Sequence, residues 1–274
     1  MEQNHKEKEE FNLWLTVRLQ EQLYAIDCRY VDSIFEITQN ITALPKADDS
    51  ILGLIHVRGT MLPVLDLRKL FQMKTVQEEM AEFQDMISLM KKDHIDWVNT
   101  LKRCVDTQEE FTLATDPHCC KFGRWYDQYK PTSQVVQHYF GQINEPHIRL
   151  HQSALHCFAA TDEAEKQRII KEEAEKAMEQ VLKSLDDAVD AYQKSYHKMC
   201  VTISDGVSQI GILVDEIVST EELNHIQELN FSSRESYVHT VAQTPKESNL
   251  LVVDAAHILL LSEIKNIENG IEFD

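Results

Sequence analysis

The chain has 274 residues, enough to bury one large core or two smaller ones, and its 43% hydrophobic and 27% charged shares are those of a soluble globular protein. A formal charge of -19 argues against a nucleic-acid backbone or an anionic membrane surface as a general partner, whereas a protein bearing a basic patch fits it. No apolar run approaches the roughly 20 residues needed to span a bilayer, which speaks against direct membrane insertion. The polar start MEQNHKEKEE lacks the apolar stretch of a secretion signal, so a cytoplasmic location is expected. The six cysteines, Cys28, Cys104, Cys119, Cys120, Cys157 and Cys200, show no framework spacing and read as thiols, core fillers or metal ligands.

Residues 1–10 read as a disordered N-terminus. From Phe11 to Phe71 the pattern is that of strands: Leu13, Leu15, Val17 and Leu19 alternate with Asn12, Trp14, Thr16 and Arg18, as in a strand with one face on a core. Gln20-Glu21-Gln22 makes a polar break before Leu23-Tyr24-Ala25-Ile26. Residues 29–37 read as a short helix presenting Val31, Ile34 and Phe35. Leu54-Ile55-His56-Val57 and Met61–Leu67, joined by the turn Arg58-Gly59-Thr60, read as a hairpin.

Between Gly59 and Gly206 there are only two glycines, Gly123 and Gly141, and from about Thr75 to Lys198 the hydrophobic period becomes helical. One stripe runs Met80, Phe83, Ile87, Met90, His94, Trp97, Leu101 and Cys104. A second runs Val136, Phe140, Ile143, His147, Leu150, Ala154 and Phe158. A third, with near-heptad spacing, runs Ile170, Ala174, Ala177, Val181, Leu185, Val189 and Tyr192. Helices with apolar stripes and short connections read as a bundle. From Cys200 the strand pattern returns in Val201-Thr202-Ile203, Ile210–Asp215 and Leu250–Asp254. A β-domain interrupted by a helical insertion is the simplest account, since insertions succeed at loop tips where the chain ends lie close together.

Within the helical stretch His94, the Cys120-Lys121-Phe122-Gly123-Arg124-Trp125 segment, and His147 with His151 are the right number and type of ligand for a tetrahedral zinc ion. His147 and His151 are four apart and leave one helix face; Pro146 fits a helix start or a kink that would aim them. His94 sits on the apolar stripe beside Trp97. A lone histidine on such a stripe is ordinarily a core residue, and Cys119, His118 and His156 are rivals for the four positions on spacing alone. Four protein ligands would close the site and leave no place for an activated water, which argues against a zinc enzyme.

At these residues the chain resembles the chemoreceptor zinc-binding domain, whose signature is H-x-x-W, then C-x-[FL]-G-x-W, then H-x-x-x-H. His94-Ile95-Asp96-Trp97, Cys120–Trp125 and His147–His151 match it in order, over about residues 80–160. The resemblance implies a four-helix bundle in which His94, Cys120, His147 and His151 bind Zn2+, with Cys120 chosen over Cys119. It also gives His118 a role beside the ligands. The flanks are similar to a second family, the CheW coupling domain of bacterial chemotaxis, through Gly53–Arg68 and Gly211–Ile217. Near the C-terminus Tyr237–Ala242 lacks the glycines often found before the last strands of that family. The CheW resemblance implies a pair of small β-barrels and makes Arg58 an interface residue.

The expected protein is therefore α+β and multidomain, a CheW-like pair of small β-barrels with an inserted all-α four-helix bundle. The expected boundaries are 11–73 for the first CheW-like half, 74–198 for the zinc-binding bundle with a long return helix, 199–266 for the second half and 267–274 for a tail. The two resemblances together imply a non-enzymatic adaptor between the cytoplasmic tip of methyl-accepting chemoreceptors and a CheA-type histidine kinase. Its bundle would respond to zinc or to oxidants such as hypochlorite. A scaffold with purely structural zinc is the alternative, and a zinc-dependent enzyme ranks behind it. Residues 161–198 admit three readings: a bundle helix, a homodimer coil, or a lever returning to the β-domain.

Overall fold

A computed structural model describes residues 12–45, 47–129, 134–228, 237–245 and 248–268. The expected disordered residues 1–10 and residues 269–274 of the expected tail lie outside them. Strands β1 (Trp14–Leu19), β2 (Gln22–Asp27), β3 (Val31–Glu36), β4 (Ile51–Val57) and β5 (Thr60–Asp66) lead into the short helix α1 (Leu67–Leu70). The helical part follows as α2 (Val76–Thr107), a 3-10 turn (Pro117–Cys119), α3 (Lys121–Tyr126), α4 (Gln134–Gly141), α5 (Asn144–Ala159), α6 (Glu163–Ile169), a π turn (Ile170–Glu175) and α7 (Lys176–Ser195). Strands β6 (Met199–Ser204), β7 (Gln209–Val214), β8 (Glu216–Glu221), β9 (Asn224–Glu228), β10 (Val238–Gln243) and β11 (Asn249–Val253) precede the last helix, α8 (Ala255–Glu268). Two compact units result: Met1–Thr75 with His197–Asp274, and Val76–Tyr196.

The β-rich unit holds two sheets, one in the order β8-β1-β2-β11-β10-β9 and one in the order β3-β6-β7-β5-β4. Each joins the two chain halves through a parallel pair, β2 with β11 and β5 with β7. Both sheets bury side chains on both faces, which is why several strands read as near-continuous apolar runs. Leu15, Val17, Tyr24 and Ile26 of one sheet meet Val201, Ile203, Ile212 and Val214 of the other, with Ile258 and Leu259 of α8, in a shared core. The alternate residues fill two satellite cores, with Ala25, Ala242 and Leu250 in one and Ile55, Val64, Cys200 and Leu213 in the other.

The segment 29–37 corrects the expectation of a short helix. It is strand β3, paired antiparallel with β6 from Val31↔Ile203 to Glu36↔Met199. Apolar residues at 31, 34, 35 and 37 fit either period over so short a run, and the ladder offered by β6 decides it. The β4–β5 hairpin closes through Val57-Arg58-Gly59-Thr60, with φ +49 at Arg58 and +93 at Gly59, the two positive values of a type I′ turn. Gly59 accepts that conformation freely; Arg58 holds it at a cost of roughly 1 kcal/mol and with its side chain exposed.

One buried ion pair fastens the halves of this unit together. Arg68 of α1 donates through Nε to Asp215 Oδ1 at 2.8 Å and through Nη2 to Oδ2 at 2.5 Å, the side chains being 7% and 17% exposed. Asp215 also accepts the Gln20 N–H at 2.6 Å, and Arg68 Nη1 donates to the Lys74 carbonyl at 3.0 Å, immediately before the helical unit begins. An Arg68→Ala variant leaves Asp215 without its ion-pair partner, so the β-unit unfolding transition is expected to lose about 3–5 kcal/mol, read from the denaturant midpoint at unchanged slope. A loss below about 1 kcal/mol would mean the pair is no more than a surface contact.

The helical unit is built on the stripes. Along α2, Phe83, Ile87, Met90, His94, Trp97, Leu101 and Cys104 are buried at spacings of four and three, the period of a helix packed along its length. The second stripe is divided between α4 and α5, and Phe158 at its end is 47% exposed while Cys157 beside it is buried. Within residues 161–198 the helical run Glu163–Ser195 packs into the bundle. Ile169, Ile170, Ala174 and Ala177 pack with Trp97, Leu101, Leu150 and Ala154, and Val181, Leu185 and Ala188 pack with Phe83, Ile87 and Phe140. No helix among the described residues is long and apolar enough to cross a membrane.

Candidate metal centre

His94 lies on α2 between Met90 of one apolar cluster and Trp97 of the other; His147 lies on α5 between Ile143 and Leu150, which are divided the same way. The histidines therefore occupy the layer where the two cores of the bundle meet. His94, His147 and His151 are 3%, 4% and 1% exposed. Pro146 stands in the first turn of α5, one residue before His147, where the N–H it lacks would have no helical partner.

Cys120 reaches the same layer from the end of a loop. Asp116 caps the 3-10 turn by accepting the His118 N–H at 2.9 Å. Cys120 then caps α3, its Sγ accepting the Gly123 N–H at 3.1 Å. The turn and the helix close on each other so tightly that a Cβ on residue 123 would lie 1.9 Å from the Pro117 carbonyl oxygen, so this position admits only glycine. Phe122 and Trp125 of α3 bury themselves among Tyr126, Tyr129 and Phe140 and hold the short helix down.

One donor atom from each of His94, Cys120, His147 and His151 lies within 4.8 Å of every other, and His147 Nε2 is 3.3 Å from Cys120 Sγ. The tautomers follow from the acceptors. His94 Nδ1 is 2.7 Å from the Met90 carbonyl and His151 Nδ1 is 2.8 Å from the Ala114 carbonyl; carbonyls only accept, so Nδ1 carries the proton in both rings. Their Nε2 atoms hold lone pairs, are buried, and have no hydrogen-bond partner. Two orphaned imidazole nitrogens facing a thiol and a third imidazole are what a metal ion would satisfy. Three neutral nitrogens and a sulfur suit a tetrahedral d-block ion such as zinc, and the four donors would close its coordination shell.

Burial sets the protonation of the group. It holds His147 down to about 2, helped by His151 and His94 nearby, and His151 down to about 4 against the opposing pull of the Ala114 carbonyl. His94 is lowered for the same reason. Burial pushes the Cys120 thiol up, more than the Gly123 and Phe122 N–H groups pull it down. The metal-free site is thus a neutral thiol among neutral imidazoles. The thiol is directed at the Pro117 carbonyl, 3.2 Å away.

The rival residues stand apart from this cluster. Cys119 is exposed with its thiol 3.6 Å from Asp116 Oδ2, and His156 bonds Glu173 at 2.7 Å. His118 is exposed, and its ring bonds Asp127 Oδ2 at 2.9 Å. The Ala114 carbonyl carries no signal in a sequence, yet it orients the site. It accepts from His151 Nδ1 and, at 2.9 Å, from Trp97 Nε1, so the tryptophan three residues after His94 braces the loop that positions another of the four histidine and cysteine side chains.

These features define a helical metal-binding module set into a two-sheet β-unit. Residues 13–94 match the family profile of the CheW-like domain, and residues 94–157 match that of the chemoreceptor zinc-binding domain. The chain carries both, a CheW-like adaptor domain followed by a chemoreceptor zinc-binding domain. CheW-like domains are scaffold modules rather than enzymes. Among solved structures the chain is similar to the scaffolding protein TtCheW from Thermoanaerobacter tengcongensis, at 11% identity over 89% of each chain with a TM-score of 0.41. No curated relative matches.

Two outcomes follow from the geometry. Gly123→Ala drives a methyl group into the Pro117 carbonyl, so it should destabilise the helical unit by about 1–3 kcal/mol in thermal or denaturant unfolding. The depressed histidines give the metal-free unit an acid-sensitive stability. Above about pH 6.5 the imidazoles are neutral in both folded and unfolded chains and contribute nothing. As pH falls below that value the unfolded chain takes up protons that folded His151 refuses until about 4 and folded His147 until about 2, so stability declines through this window. Unfolding of the chelated protein at stepped pH reads this, and His147→Gln should flatten the slope; an unchanged slope would contradict the assignment.

Proposed function

We propose that the chain is a chemotaxis adaptor whose β-unit couples chemoreceptors to a CheA-type histidine kinase in the cytoplasm, and whose helical unit senses zinc, oxidants, or both. The observation that carries the sensing half is the convergence of His94, Cys120, His147 and His151 on one point, with two buried Nε2 atoms left unpartnered. Zinc held there would keep Cys120 as a thiolate. Oxidation of that sulfur to a sulfenic acid removes its charge and its value as a ligand, so one side chain reads both signals. His94 on α2, His147 and His151 on α5 and Cys120 at the head of α3 would be drawn together or released as a set. The state of the site then biases how α2 and α5 pack.

The coupling half rests on the matched CheW-like segment and on the continuity of the chain. We assign 199–266 to the second half of the CheW-like domain, because β6, β7 and β11 complete sheets that β1–β5 begin. Arg58, exposed at the hairpin tip in a conformation that costs its backbone energy, is the residue we assign to a partner interface. His118, through its Asp127 hydrogen bond, is assigned to steadying the 3-10 turn beside Cys120. The ion acts on the adaptor only through a difference in affinity between two packings of the helical unit.

A second reading, zinc as a structural pin, is favoured by one observation: the site lies between the two apolar clusters of the bundle, where a metal ion would stabilise the helices whether or not it signals. A receptor–kinase array reconstituted with this protein separates the two. On the first reading, chelation or hypochlorite changes kinase output while the β-unit stays bound, and Cys120→Ser both loses the tightly held zinc and abolishes the response. Kinase output indifferent to chelator, to oxidant and to Cys120→Ser leaves the structural pin. Full zinc content in Cys120→Ser would remove Cys120 from the ligand set.

A further inference from the structure

The β-unit holds another convergence of donor groups. His239, Asp254 and His257 each offer one ligand atom, these atoms lie within 4.8 Å of one another, and all three residues are half-buried. They come from three local structures that fold for separate reasons. Val238 pairs with Val253 and Thr240 with Val252, so His239 is the extra residue of a bulge in β10 and has no opposite number on β11. Bulges re-aim a side chain out of the alternation of the strand.

Asp254 follows β11 and caps α8. Its Oδ1 accepts the His257 N–H at 2.9 Å and its carbonyl accepts the Ile258 N–H at 3.1 Å, while its own N–H donates to the Tyr237 carbonyl at 2.8 Å. The Tyr237 ring lies against the His257 ring at 4.7 Å, inclined by 36°, and limits how that imidazole can turn.

Helix capping alone explains Asp254 and needs only one carboxylate oxygen. It does not explain two imidazoles brought to the same carboxylate by a bulge and by the first turn of α8. Among the described residues no hydrogen bond ties either imidazole to that carboxylate. We propose that His239, Asp254 and His257 form a second metal site, one for a first-row divalent cation of the zinc, cobalt or nickel kind. Two imidazole nitrogens and one carboxylate oxygen select such ions over magnesium or calcium, which take oxygen ligands. The positive end of α8 opposes a cation, and the Asp254 carboxylate stationed at that end offsets it. Three protein donors leave coordination positions for water or another ligand, so this site exchanges its ion more readily than a closed site of four.

Cobalt titration of the metal-free full-length protein tests the assignment and keeps the two sites apart. A cobalt ion on the Cys120 site carries a sulfur-to-metal charge-transfer band in the near ultraviolet; one on His239, Asp254 and His257 does not. Two equivalents are expected at micromolar free metal, the second adding no charge-transfer intensity. His239→Ala and His257→Ala should each remove the second equivalent and leave the first. Asp254→Asn, which keeps a capping oxygen for α8, should weaken the second without loss of helix by circular dichroism. A single equivalent in the unaltered protein overturns the proposal, and so does a second equivalent that survives both histidine replacements. Loss of the charge-transfer band alone would count against the Cys120 site and leave this one standing.

Discussion

Two ring nitrogens with nothing to bind, His94 Nε2 and His151 Nε2, dominate the interior of the helical unit. A buried polar atom without a partner costs about 1–3 kcal/mol, and here two of them lie in one layer between the apolar clusters of the bundle. Every neighbouring feature raises the precision with which they are held. The Met90 and Ala114 carbonyls fix the protonated side of each ring, Trp97 braces Ala114, and Phe122 packs edge-on against His94 and His147. A core built only for stability would put leucine in this layer, as it does two turns beyond His94 at Leu101 and one turn beyond His147 at Leu150. The helices instead carry an unfavourable arrangement that a metal ion at this cluster would reverse.

The same arrangement accounts for what the sequence made visible. Side chains that must meet at a point leave a pattern of residue types: histidine on an apolar stripe, two histidines one turn apart, cysteine before a glycine that nothing larger can replace. Backbone atoms leave none, so the Ala114 carbonyl, which ties Trp97 to His151, could not be read. Arg68 and Asp215 sat in two separate runs of residues, and only the fold brings them to 2.5 Å. The apolar positions of β3 satisfy both the helical and the strand period, and the strand that decides between them, β6, comes after the whole insertion. Strands β8 to β10 and helix α8 carry weaker patterns. β9 is exposed along its length, as an edge strand can be, and has no apolar face to recognise.

The manner of attachment bears on how a change at the metal site can matter elsewhere. The chain leaves the β-unit after α1 and returns into β6, and neither connection, 71–75 or 196–198, contains glycine or proline. The outgoing end is held by the Lys74 carbonyl, which accepts from Arg68 and from Gln20. The returning end is held where the Lys198 carbonyl accepts the Ile37 N–H at 2.9 Å, with an exposed His197–Glu36 pair beside it that adds little. β6 is an interior strand, flanked by β3 and β7. The outgoing connection is thus tied to the Arg68–Asp215 clamp and the returning one runs into the ladder of an interior strand. A loose, glycine-rich linker would dissipate a shift in helix packing as chain entropy. Short connections anchored in this way are a physical requirement for a metal-bearing insertion to act on the domain that carries it, and this chain meets it at both ends.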